Sequence, residues 1–250
     1  MSKIERFRAS QMITAKKSAW FERAFAMYNR NLLARRFEGL RVAGTDALLE
    51  RPHSDAPLVL YANHSSWWDG LVAFQIGHAC ALAQFVLMEE RQLRKHMLFR
   101  RLGAFSVVRE RAREASRSIE YASALLRADA ARALWIFPQG ATAPNDARPL
   151  RFYSGIAHII KRTQRAYVAP VALRYEFLED FRPEAFARIG PLERIEAGAD
   201  FDIKETTGRL AHNLTRTLDA LRADVLQASL QAYVELVAPR RRSRAKQSGA

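Results

Sequence analysis

The chain has 250 residues, 49% hydrophobic and 26% charged, which suits one globular domain with a sizeable core. No apolar run approaches the roughly 18 residues of a bilayer span, the N-terminus has no signal-peptide core, and the single Cys80 excludes an intramolecular disulfide and fits a reducing compartment. The net charge of +14 sits mostly at the ends, with ten Lys/Arg against three Glu over residues 1–41 and five basic residues with no acid over 239–250.

Residues 10–37 read as a helix, because Phe21, Phe25, Tyr28 and Leu32 share one face. Lys16, Lys17, Arg23, Arg30, Arg35 and Arg36 surround that face. An aromatic stripe with basic flanks fits a helix lying on an anionic lipid surface; the same stripe also fits packing on the domain. "LVLYA", 58–62, reads as a buried strand ending in the turn-like "NHSS". "SWWDGLVAFQIGHACA" follows as a helix with Ser65 or Ser66 as its cap. "QFVLM", 84–88, is a strand, "RQLRKHMLFRRL" a helix ended by Gly103, and "AFSVV", 104–108, a strand. A helix over 110–128 and a strand "ALWIF", 133–137, come next, then the loop "PQGATAPNDARP". A helix over 154–164, a strand "AYVAPVAL" over 166–173, a strand near 186–195 and a long helix over about 203–236 complete the order.

Alternation of strands and helices predicts an α/β fold: a single domain with a largely parallel central sheet flanked by helices, preceded by an amphipathic N-terminal helical segment. The boundaries are a basic, membrane-interfacial helical region over 1–41, the domain proper over 42–238, and a basic disordered tail over 239–250. In such a sheet ligands bind outside the carboxyl ends of the strands. His64, Arg109, Gln139 and Gly140 each follow a strand end there. A histidine with a carboxylate on its second ring nitrogen makes a general base of fixed tautomer, and Asp69 stands in the first turns of the helix after His64. Such a pair can activate a substrate hydroxyl against an ester or thioester without a serine or cysteine nucleophile. The spacing H-x-x-x-x-D is unspecific by itself.

Its company is more specific. "NHSSWWD", 63–69, resembles the N-H-x-x-x-x-D motif of the glycerolipid acyltransferases of the 1-acyl-sn-glycerol-3-phosphate or lysophospholipid type. "GAFSVVR", 103–109, resembles their Gly–apolar–Arg motif, and "FPQGAT", 137–142, is similar to F-P-E-G-T-R. "FYSG", 152–155, resembles F-K-x-G, and "VAPVAL", 168–173, the strand around a proline. The resemblance implies an O-acyltransferase of phospholipid metabolism. Its donor is acyl-CoA or acyl-carrier protein, a co-substrate rather than a bound cofactor, and its acceptor is a lipid hydroxyl. It implies His64 as general base, Asp69 as its orienter, Arg109 at the acceptor's headgroup, and Phe137, Pro138, Gln139 and Gly140 shaping the acceptor pocket. Pro170 lies on the supporting strand, and no metal is implied.

The chain departs from the pattern at Gln139, where the family has Glu, at Thr142, where it has Arg, and at Tyr153, where it has Lys. Loss of the arginine fork turns the expectation towards a non-phosphate, for example glycosylated, acceptor, with Arg148 and Arg151 as substitute phosphate contacts. A non-catalytic lipid- or membrane-binding module on the same fold is the alternative. The near-neutral body argues against nucleic acid. The expected location is peripheral or monotopic, at the cytoplasmic face of the cell membrane.

Overall fold

The structure, a computed structural model, describes residues 12–52 and 55–240. It opens with α1 (Ala19–Arg36), β1 (Leu40–Ala43), the short α2 (Asp46–Leu49), β2 (Leu58–Ala62) and α3 (Asp69–Ala79). Next come β3 (Ala83–Glu89), α4 (Glu90–Lys95), a 3-10 stretch over Met97–Leu102, β4 (Ala104–Val107), α5 (Ala112–Ala128) and β5 (Arg132–Ile136). The chain continues through α6 (Gly155–Thr163), β6 (Arg165–Glu176), β7 (Glu184–Ile189), β8 (Glu193–Glu196), α7 (Ile203–Leu226) and β9 (Tyr233–Val237).

An unbroken apolar strand is stable only when both of its faces are covered. β2 meets that condition at the centre of the sheet: Val59 and Tyr61 enter one core, and Leu58, Leu60 and Ala62 the other. The first core lies under α5, α6 and α7, the second under α1 to α3. Strand order is β4-β3-β5-β2-β6-β7-β1-β9, with β8 against β6. β2 to β6 pair in parallel, as do β1 and β7, while β6–β7, β6–β8 and β1–β9 are antiparallel. The carboxyl ends of β2, β4 and β5 therefore share one edge. β6 outruns it: its ladder to β2 stops at Val171, and residues 172–176 pair only with β7.

The largely parallel sheet matches the sequence expectation; β1 and α2 were not expected, the helix expected from Arg91 to Leu102 is α4 followed by a 3-10 stretch, and four further elements differ. The N-terminal helix spans Ala19–Arg36; residues 10 and 11 lie outside the described residues, and 12–18 are not helical. That segment lies along the edge strand β4, where Ile13 exchanges hydrogen bonds with Ser106, so the open edge is covered. The single strand near 186–195 is two strands, β7 and β8. The helix from 203 ends at Leu226, and its expected last turns include β9. α3 starts at Asp69, and neither Ser65 nor Ser66 is its cap. The tail beyond Arg240 lies outside the described residues.

α1 packs on the domain. Its Phe25 meets Phe74 of α3 edge-on at 5.0 Å and Phe99 at 6.0 Å. Asn29, fully buried, donates to the Leu71 carbonyl and to Gln75 Oε1. Trp20, Met27 and Tyr28 stay exposed. Among the described residues no helix is long and apolar enough to cross a membrane.

Candidate active site

The turn after β2 is tied down before any functional side chain is placed. Asn63, 2% exposed, donates to the Leu173 carbonyl and to Asn145 Oδ1, and its own oxygen accepts the Leu173 N–H. Next to it, the His64 N–H donates to Gln139 Oε1 at 2.8 Å, and the His64 carbonyl accepts the Ala143 N–H at 2.8 Å. The backbone of His64 is thus held on both sides by the loop after β5.

Its ring meets the first residue of α3. His64 Nδ1 and Asp69 Oδ2 are 2.8 Å apart. A carboxylate only accepts, so the proton sits on Nδ1 and Nε2 is the free, basic nitrogen. The imidazole keeps 29% exposure while Asp69 is fully buried. A buried carboxylate needs hydrogen bonds to its oxygens. Oδ2 also accepts from the N–H groups of Ser65 and Ser66, and Oδ1 accepts the Tyr175 hydroxyl at 2.7 Å. Burial and the adjacent Asp69 push the Tyr175 phenol well above its usual range, so it stays a donor.

The Phe137 ring lies 5.0 Å from that of His64, centroid to centroid. Pro138 is buried, and its carbonyl accepts the Tyr153 N–H. Gly140 adopts φ +72°, and a Cβ there would collide with the Arg109 guanidinium and the Tyr153 ring. That crowding arises because Arg109 reaches across from the end of β4, donates to the Gly140 carbonyl, and lies over Tyr153 at 5.6 Å. Glu89 approaches the same guanidinium at 3.8 Å. Pro170 sits on β6 opposite Tyr61, and its carbonyl accepts the Gly190 N–H.

The structure therefore gathers His64, Asp69, Phe137, Pro138, Gln139, Gly140 and Arg109 at one edge of the sheet. Arg148 is engaged elsewhere: its guanidinium pairs with Asp219 of α7 and donates to the carbonyls of Asn145 and Ala147. It lines an open cleft of about 740 Å³ along α7 rather than the dyad. Arg151 is exposed on the same loop. Tyr153 lines a second open cleft of about 670 Å³, beside Lys161 and Lys204. Among the described residues no group of three or more His, Cys, Asp or Glu is placed to hold a metal ion. Asn63, Tyr153 and Tyr175 are site residues that the sequence reading did not select. Asn63 and Tyr153 had a signal, their places within "NHSSWWD" and "FYSG"; Tyr175 had none.

Fold and site define an α/β protein with a carboxylate-oriented histidine at the carboxyl edge of a mostly parallel sheet. The chain belongs to the Acyltransferase family, whose model matches residues 39–174, more than half of its length. The fold is similar to that of the 1-acyl-sn-glycerophosphate (LPA) acyltransferase PlsC from Thermotoga maritima, with a TM-score of 0.57 over 81% of this chain and 80% of that one, at 18% identity. No curated protein matches the chain in sequence.

Proposed function

We propose that the protein transfers a fatty acyl group from the thioester of acyl-CoA or acyl-carrier protein to a hydroxyl of a lysolipid. His64 Nε2 takes the proton of the acceptor hydroxyl as its oxygen attacks the thioester carbonyl. The C–S bond then breaks, and the leaving thiolate recovers the proton from the imidazolium. Asp69 holds the Nδ1 proton through the cycle. The observation that carries this reading is the 2.8 Å contact between His64 Nδ1 and Asp69 Oδ2, which leaves Nε2 basic on a partly exposed ring.

Arg109 is the cation of the acceptor side. One of its amino groups is committed to the Gly140 carbonyl, and Arg148 is held by Asp219. With Thr142 in place of an arginine, this supports an acceptor whose headgroup is not chiefly a phosphate monoester, such as a larger, neutral or glycosylated one. The outward face of α1, with Trp20, Met27, Arg23 and Arg30 exposed, supports peripheral attachment to an anionic cytoplasmic leaflet.

The test is turnover of purified protein with acyl-CoA and a lysolipid panel. His64→Ala is expected to lower kcat at least about 100-fold with the fold intact, because general base catalysis typically contributes that much or more. Wild-type turnover by this variant would sink the mechanism. Vesicle binding without acyl transfer would favour the non-catalytic module. A wild-type preference for lysophosphatidic acid above about 100-fold in kcat/KM would mean that Arg109 or Arg151 suffices for the phosphate and overturn the acceptor reading.

A further inference from the structure

Tyr175 lies one residue past the segment that the family model matches, on the part of β6 that outruns β2. Its hydroxyl donates to Asp69 Oδ1 at 2.7 Å, the oxygen that neither His64 nor the 65–66 turn uses. Phe37, the residue that ends α1, is 2% exposed, and its ring lies 5.6 Å from that of Tyr175 and 5.1 Å from that of Trp68.

We propose that Tyr175 is a positioning residue of the acyl-transfer site, fixing the rotation of the Asp69 carboxylate so that Oδ2 faces His64 Nδ1, with Phe37 seating its ring from the end of α1. A carboxylate turns easily about its last bond, a broad two-fold torsion. Three donors converge on Oδ2, and the Tyr175 hydroxyl on Oδ1 holds the second end of the group and so sets the carboxylate plane. Asp69 is the charge that acts on the phenol. The flanking Arg174 and Glu176 pair with each other, and Arg174 also with Asp146. The role rests on the acyl-transfer reading, but the geometry it requires does not.

Tyr175→Phe removes the donor and keeps the ring that Phe37 packs against. In the full-length protein, kcat is expected to fall about tenfold with KM unchanged, a part of what the base contributes. The acid limb of kcat/KM is expected to move to higher pH, because a carboxylate without the phenol's hydrogen bond leaves more negative charge facing the imidazole. On an Asp69→Asn background the same change is expected to add nothing further. Independently of turnover, the His64 Nδ1 proton is expected to shift or broaden by NMR in Tyr175→Phe. Wild-type kcat, pH profile and resonance would overturn the proposal. So would a loss that adds in full on Asp69→Asn, which marks a merely structural role. If the wild type transfers no acyl group, the acyl-transfer reading fails, and the resonance alone decides whether Tyr175 positions Asp69.

Discussion

At position 139 an amide oxygen accepts the backbone N–H of His64, a bond that a carboxylate would make equally well. The side chain acts first as a brace between two loops, and the difference between Gln and Glu is then one of charge beside the imidazole. Gln139→Glu is expected to keep the melting temperature and to move the acid limb of kcat/KM upward, since a nearby negative charge favours the protonated ring. An unmoved limb would show that the 139 side chain is screened from the ring. His64 and Asp69 were legible in the sequence because they are five residues apart on one turn. Tyr175 was not, because it meets Asp69 across 106 residues and sits in a strand end that reads as ordinary. The pairing of Arg148 was hidden for the same reason: its partner Asp219 lies 71 residues on, in α7.

Among the elements, α1 divides its aromatic stripe between two faces. Phe21 and Phe25 turn inward to Phe74, Phe99 and Leu102, while Trp20, Met27 and Tyr28 face out. The inward half holds α1 on α3, the helix that begins at Asp69. Phe25→Ala is expected to destabilise the protein by about 2 kcal/mol, less than a fully buried phenylalanine would cost, as measured by denaturant unfolding. No change in midpoint would mean that α1 docks through Asn29 and Leu33 alone. The buried strands β2 and β5 were legible as apolar runs. β1 is only four residues long and finds its partners, β7 and β9, far along the chain. β9 was hidden because nothing between 203 and 236 except Gly208 interrupts a helical pattern. The chain reverses instead at Ala228, a non-glycine residue at φ 51°, which composition does not announce.

For the whole molecule, charge separates a near-neutral catalytic body from basic ends. Replacing Arg23, Arg30, Arg35 and Arg36 by glutamine is expected to weaken binding to anionic vesicles by about 100–1,000-fold at low salt, at roughly 1 kcal/mol for each residue near the lipid. Sedimentation with vesicles across a salt series checks this, since surface charge is screened within about 8 Å at physiological ionic strength. Equal binding to neutral vesicles at every salt would contradict the electrostatic part. The last strand adds a geometric consequence. β9 runs antiparallel to β1, and the Arg240 N–H donates to the Ala34 carbonyl in the last turn of α1. Arg240 is therefore held beside Arg35 and Arg36. Basic residues far apart in the sequence thereby meet at one point, as in a multivalent ligand. On the anionic surface proposed for α1, cations brought together in this way are expected to bind as a unit, with an avidity above that of separate charges, so that Arg240→Gln weakens vesicle binding further when combined with the α1 substitutions.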